Sequence, residues 1–333
     1  MKMGFSLLVV AILVAAAILG SAISQLQFLL AVVVPYGAAA TFLLGLVYRI
    51  IKWGRVPVPF RIPTTAGQQK SLPWIKASAL DNPWSAPGVA GRIALEVLFF
   101  RSLLRNTRTE VHLEPKGPKL AYHWEKWLWL GGLVFHWSLF IILIRHLRFF
   151  TEPVPAFITG LEGLDGFFRV GFQGLLLTDV GILAAVTYLF LRRALIPQIR
   201  YISLPGDYVP LFLILGIAIS GILMRYFYRV DVTAVKELAM GLVTFRPGLP
   251  AGLGTLFYVH LFLVSSLLAY FPFSKLVHMG GIFLSPTRNL PNNSRAFRHI
   301  NPWNYPVKVH TYEEYEDEFR DKMKAAGLPV ERE

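Results

Sequence analysis

Two stretches decide the fold: LVFHWSLFIILIRHLRFF at 133–150 and FYVHLFLVSSLLAYFPFSKLVHMGG at 257–281. Each is apolar over roughly the 20 residues that a helix needs to cross a bilayer core. Each also carries two histidines, His136 and His146 in the first, His260 and His278 in the second. Ionisable side chains inside such segments are rare and usually functional.

The rest of the chain fits a membrane setting. Of its 333 residues, 54% are hydrophobic and only 16% are charged, against about a quarter charged in an ordinary soluble domain. With no cysteine, disulfides, zinc–thiolate sites and cysteine-ligated iron–sulfur clusters are excluded within this chain. Any metal chemistry falls to histidine or carboxylate. The net charge of +13 suits loops facing anionic lipid better than nucleic acid, because the basic residues flank apolar runs instead of forming a basic domain.

Hydropathy gives six predicted spans, at about 5–23, 28–51, 126–148, 172–191, 208–228 and 254–278. The first also fits a secretory leader, with a lysine, an apolar run and small residues at its end; with Met1 kept in the chain, a genuine span is the expectation. From Arg49 to Lys126 there are thirteen basic and five acidic residues, and Arg192, Arg193 and Arg200 follow span four. The stretch 274–310 is basic without an acid, whereas the 149–171 loop has Glu152, Glu162 and Asp165 against Arg169 alone. The positive-inside rule then puts both termini in the cytoplasm of a multi-pass cell-membrane protein. The expected fold class is an all-α six-transmembrane-helix bundle with an amphipathic cytoplasmic loop and a cytoplasmic C-terminal tail. Residues 1–27 are an additional N-terminal helix, 28–280 the membrane domain with its loop at 52–125, and 281–333 a tail. Within the loop, Ile93, Val97, Phe100 and Leu104 share a helical face, which suits a helix lying in the interface or packed on a partner subunit.

Topology sorts the histidines. Span three runs outward and span six inward, so antiparallel neighbours pair His136 with His278 at the inner side and His146 with His260 at the outer. The opposite pairing would cross diagonally through the bilayer. At about 1.5 Å per residue the separations are about 15 Å on one helix and about 27 Å on the other. Tilt and a kink at Pro272 are needed to absorb the difference. Gly131 and Gly132, a turn before His136, suit either a macrocycle close to the backbone or close helix packing. Two imidazoles per site match a six-coordinate haem iron, whose porphyrin supplies the other four ligands. Zinc or copper fits less well, since neither pair has a third ligand at its depth. His112, His123, His299 and His310 fall in cytoplasmic segments and are expected to be structural or to contact a partner.

Around the outer pair, Arg145 and Arg148 bracket His146 and suit haem propionates or snorkelling. Asp179 suits a proton acceptor for a quinol or a buried hydrogen-bond partner. Arg169 is the candidate for polarising a quinone carbonyl. In the tail, Thr311-x-x-Glu314 is a capping box opening an amphipathic helix with Tyr312, Tyr315, Phe319 and Met323 near one face, a candidate docking element.

The His-x9-His and His-x17-His arrangement, PFSKLVH at 272–278, PYGAAATFLLGLVYR at 35–49 and LRRAL at 191–195 resemble the NarI-like family, the cytochrome b gamma subunits of respiratory nitrate reductase, over about 28–290. SPTRNLPNNSRAFRHINPWNYPVKVH at 285–310 resembles the tail of the DsrM family, the cytochrome b subunits of the DsrMKJOP complexes of sulfur-metabolising prokaryotes. The resemblance implies two haem b, the inner held by His136 and His278 and the outer by His146 and His260. It also implies exchange of electrons with menaquinone, a cytoplasmic DsrK-like iron–sulfur partner, the other subunits of that complex, and DsrC as an indirect partner. The alternatives are a gamma-type subunit of another respiratory oxidoreductase and a non-redox scaffold or transporter.

Overall fold

The computed structural model describes residues 2–56, 68–115, 117–166, 174–295 and 309–331. Among these, five helices are long and apolar enough to cross a membrane. They are α1 (Lys2–Ser21), α2 (Ser24–Gly54), α4 (Lys126–His146, extended by a 3-10 turn to Phe149), α7 (Pro205–Tyr226) and α9 (Thr255–Tyr270). A further long helix, α6 (Leu177–Leu195), is where the fourth span is expected. It holds Asp179, Arg192 and Arg193, and so is less apolar than the other five. Shorter helices are α3 (Ala86–Phe99), α5 (Ala156–Asp165), α8 (Val232–Val243), α10 (His278–Leu284) and α11 (Tyr312–Ala325).

Three apolar clusters join the long helices. Val10 and Ala17 of α1 bury against Tyr208, Phe212 and Leu213 of α7 and Val259 and Leu263 of α9. Ser6 adds a hydrogen bond from its Oγ to the Pro205 carbonyl at 3.0 Å. The first apolar run is thus part of the bundle. Leu30, Ala31 and Val32 of α2 bury against Leu238 of α8 and Phe257 and Tyr258 of α9. Phe135 of α4 buries against Ile182, Ala185 and Val186 of α6 and Ile214 of α7. Outward, Leu7, Leu8, Ile12 and Leu19 of α1 and Leu43 and Leu44 of α2 are exposed, as lipid-facing positions should be.

The close helix pairs are α4 with α6, α6 with α7, α7 with α9, α9 with α2, and α1 with both α7 and α9. The histidine-bearing α4 and α9 are not among them. They belong to opposite sides of the packing order, which leaves the histidines facing one another across a gap between helices.

Several expectations change. The chain is not all-α: β1 (Thr107–Glu114) and β2 (Gly117–Trp124) form an antiparallel hairpin in the long loop. Alternation in TRTEVHLE and KLAYHW, with Gly117 at φ +112° where β2 begins, carries the signal for it. The helical face expected through Leu104 is broken at Phe100, which turns left-handed at φ 49°, and a separate short helix follows at Arg101–Leu104. The continuous sixth span also ends early. Pro272 cannot donate to a helix, and after α9 the chain passes through 3-10 turns at Phe271–Phe273 and Lys275–Val277 before His278 opens α10. His260 and His278 therefore do not lie on one continuous helix. A break takes up the spacing mismatch. Ser274 caps the new turn, accepting from the Leu276 N–H at 3.1 Å, and Lys275 Nζ donates to Asp207 of α7 at 2.7 Å.

Glycines set two of the closest approaches. A Cβ on Gly45 of α2 would lie 2.7 Å from Pro272, and one on Gly131 of α4 would lie 2.6 Å from the Tyr188 ring of α6. Gly131 thus serves close helix packing, and Gly132 meets only Leu103 at 3.7 Å. Gly131→Ala is expected to destabilise the chain by about 1–3 kcal/mol through overpacking. Gly37→Ala, where nothing lies within 4 Å, should be neutral or stabilising by up to about 1 kcal/mol. Thermal unfolding in detergent, followed by far-UV circular dichroism, checks both; equal effects at the two positions would contradict the packing described.

Candidate haem sites and the outer polar cluster

The structure brings the four histidines together in the two pairs that topology demanded. The His136 and His278 ring centres are 6.0 Å apart, with the rings nearly perpendicular. Those of His146 and His260 are 6.5 Å apart, with an interplanar angle of 14°. Metal–imidazole bonds of about 2 Å on opposite sides of one ion put two ring centres about 6 Å apart. Both separations fit a metal held between the rings.

The ring nitrogens agree. His136 donates from Nδ1 to the Gly132 carbonyl at 2.7 Å, His146 to Ile142 at 2.7 Å and His278 to Lys275 at 2.9 Å. For His260 the partner is Ser220 Oγ of α7 at 2.9 Å. The Ser220 hydroxyl is within 2.8 Å of the Gly216 carbonyl. With its proton directed to that carbonyl or to Ile217 O at 3.0 Å, the hydroxyl accepts from the imidazole. In all four rings Nδ1 carries the proton and Nε2 keeps its lone pair, as a ligating histidine requires. The donor set, the separations and the gap between α4 and α9 fit haem held by paired imidazoles.

The inner pair rests on a platform made by the long loop and the start of the tail. Helix α3 is bound to α4 by two indoles: Trp137 Nε1 donates to Leu98 O at 2.9 Å and Trp129 Nε1 to Phe99 O at 2.7 Å. Its burial is inverted, with Arg92 and Glu96 inward and Val97, Leu98 and Phe99 exposed. Arg92 donates to Arg288 O at 2.7 Å, and Glu96 accepts from the Ser102 N–H at 3.0 Å. The loop helix therefore packs on its own chain and turns its apolar side outward. At its end the Phe100 ring meets His136 edge-on, with centres 4.9 Å apart. A bulky residue at positive φ is a backbone outlier, and here it carries an aromatic ring to the inner site. Nearby, the Arg101 guanidinium, with Arg105, holds the Asp81 carboxyl well below the usual carboxylate range.

At the outer pair, Arg145 and Arg148 are both engaged by acids. Arg145 is buried, and its Nη1 donates to Asp165 Oδ2 at 2.7 Å and to Thr178 Oγ1 at 2.9 Å, with Asp179 at 3.5 Å. Arg148 makes a bidentate contact with Glu162 of α5 at 2.8 and 2.9 Å. Asp179 also accepts from the Tyr226 hydroxyl at 2.8 Å, and that hydroxyl accepts from the Leu176 N–H at 3.0 Å. Arg169 lies outside the described residues.

The family profile of the nitrate reductase gamma subunit matches residues 88–295, more than half of the chain. The chain belongs to that family. The match begins inside the long loop, so it takes in α3 and the hairpin and leaves 35–49 outside. Two curated relatives are both named "Hdr-like menaquinol oxidoreductase cytochrome b-like subunit". The protein of Archaeoglobus fulgidus is 49% identical over 279 residues, 82% of each chain. That of Archaeoglobus profundus is 43% identical over 276 residues, 81% of each chain.

Sequence reasoning missed Ser220, Phe100 and Tyr226. A serine one helical turn from nothing ionisable carries no signal, and Phe100 reads as an ordinary member of an apolar face. Arg145→Ala leaves Asp165 buried and uncompensated, and is expected to cost about 3–5 kcal/mol. Loss of the Arg148 pair, which is 40% exposed on the arginine side, should cost about 1 kcal/mol or less. Thermal midpoints of the two variants check this; a larger loss for Arg148→Ala would contradict it.

Proposed function

We propose that this chain is the dihaem b membrane subunit of a respiratory or sulfur-metabolism complex, carrying electrons between menaquinone and a cytoplasmic iron–sulfur subunit. The observation that carries the reading is the two imidazole pairs with every Nδ1 bound and every Nε2 available. His136 and His278 hold the inner haem, His146 and His260 the outer. Haem iron bound there supplies one-electron chemistry by cycling between ferric and ferrous states. The protein's residues fix the rings and separate the two sites by about 15 Å along α4.

Six spans with both termini in the cytoplasm suit the distribution of Lys and Arg, with α6 as the remaining span. Menaquinol is then oxidised near His146 and His260, under the α5 segment. Asp179, which accepts from the Tyr226 hydroxyl and faces Arg145, is suited to take a proton from a quinol hydroxyl, and Arg169 to polarise the quinone carbonyl. The names of the curated relatives support menaquinol as the donor. The tail at 285–310 supports a DsrM-type subunit whose direct partner is DsrK-like, with other DsrMKJOP subunits beside it and DsrC reached indirectly. The match to the nitrate reductase gamma subunit supports a second reading, a gamma-type subunit of another respiratory oxidoreductase. Copurification of a sulfur-pathway iron–sulfur subunit separates the two.

Dithionite-reduced minus oxidised spectra of the purified chain should show b-type haem at two per chain. His278→Ala should remove the inner centre and leave the outer, halving the haem content. A chain without haem bands would sink the electron-transfer reading in favour of a scaffold or transporter. Equal loss of both centres would overturn the pairing.

A further inference from the structure

The β1–β2 hairpin has no part in haem ligation, yet it gathers three residues of another kind. Strand alternation puts Glu110 and His112 on one face of β1. The antiparallel register sets Glu110 opposite Ala121 and Arg108 opposite His123, so His123 lies diagonally across from Glu110 on the same face, within reach of a long side chain. The side chains meet: Glu110 Oε2 is 3.6 Å from His112 Nε2 and 3.8 Å from His123 Nε2. One ligand atom from each residue lies within 4.8 Å of the other two.

We propose that Glu110, His112 and His123 form a surface site for a divalent transition-metal ion of the zinc type. Four ligands about 2.0–2.1 Å from a tetrahedral ion lie about 3.3 Å from one another, so two of the three separations close with shifts of about half an ångström. Two imidazoles and one carboxylate, with solvent at the remaining position, are a complete donor set for zinc in a chain without cysteine. The ligands are accessible, with side-chain exposures of 53%, 59% and 31% for His112, His123 and Glu110. Lys119, opposite His112, is directed to Glu114 at 3.6 Å.

The fold gives such a site a purpose. A two-stranded hairpin alone is marginally stable. The opposite face of this one carries Val111, Leu113, Leu120, Tyr122 and Trp124, all exposed, so it gains little from burial within this chain. An ion held by both strands locks their register, and with it the direction in which that apolar face points. The hairpin leads directly into α4 through Glu125, whose N–H donates to the Asn106 carbonyl at 3.2 Å. Its order is thereby linked to the first turn of the helix that carries His136 and His146.

The test uses the full chain with its haem in detergent, stripped of loosely held metal by a chelator and titrated with Zn²⁺ by calorimetry. One Zn²⁺ per chain is expected, with a Kd of about 10 µM or tighter. His112→Ala and His123→Ala should each weaken it at least about tenfold. Hydrogen exchange should show amides at 107–124 slowed by Zn²⁺ in the native chain and unaffected in the double variant. Unchanged far-UV circular dichroism and haem content in the double variant report that the bundle is intact. The proposal is overturned if the double variant binds Zn²⁺ with native stoichiometry and affinity. It is equally overturned if the native chain binds no tighter than about 1 mM, which would leave the three residues as an ion-pair cluster only.

Discussion

Much of the helix bundle is organised around one arrangement: four imidazoles keep Nδ1 hydrogen-bonded while their rings pair between helices. Three of the four meet it with the cheapest device a helix or turn offers, a carbonyl three or four residues earlier, at Gly132, Ile142 and Lys275. His260 cannot, and a neighbouring helix supplies Ser220 in its place. The helix packing then follows. Helix α4 leans on α6 and α9 leans on α1, α2 and α7, so the two helices with most of the ligands are kept apart by what each is packed against.

The two ends of the molecule are built from different materials. At the His146–His260 end, charge is buried and matched: Arg145 sits among Asp165, Thr178 and Asp179, with Tyr226 closing the cluster. Such a pair contributes more to geometry than to net stability, since desolvation offsets much of the Coulombic attraction. At the His136–His278 end, indole N–H groups and main-chain carbonyls do the joining, and Phe100 extends an aromatic ring to His136. The two imidazole pairs thus sit in different surroundings, matched buried charge beside His146 and His260 and an aromatic contact beside His136.

How much was legible in the sequence depended on the range of each signal. Hydropathy runs are local and strong, and the observed helices Lys2–Ser21, Lys126–Phe149 and Pro205–Tyr226 lie within a few residues of the spans expected. The pairing of His136 with His278 and of His146 with His260 was legible because antiparallel order allows little else. The capping box also formed, with Thr311 Oγ1 accepting from the Glu314 N–H and Glu314 accepting from the Thr311 N–H, both at 3.2 Å. The break after Pro272 was half-legible: proline marks the place, but the extended Ser274 and the pair of 3-10 turns depend on Asp207 and on the closeness of Gly45, both distant in sequence. The hairpin was hidden by its neighbours, because a membrane chain biases the eye to helical periods. Arg145 and Arg148 read as groups free for propionates because their acids, at 162 and 165, lie on a helix whose position no local pattern reveals.

The indole bonds from Trp129 and Trp137 and the Arg145–Asp165 pair have a joint consequence. They grip α4 near its start, at its middle and near its end, at different angles around its axis, so they set the helix's rotational phase as well as its depth. Successive residues on a helix point about 100° apart, and Arg145 adjoins His146. The side chain that binds α5 and the one that faces His260 therefore hold each other to directions that no rigid turn of the helix can change separately. The helix works like a keyed shaft: twist at either end is transmitted to both imidazoles together, and the two sites keep a common orientation even where the surrounding lipid yields.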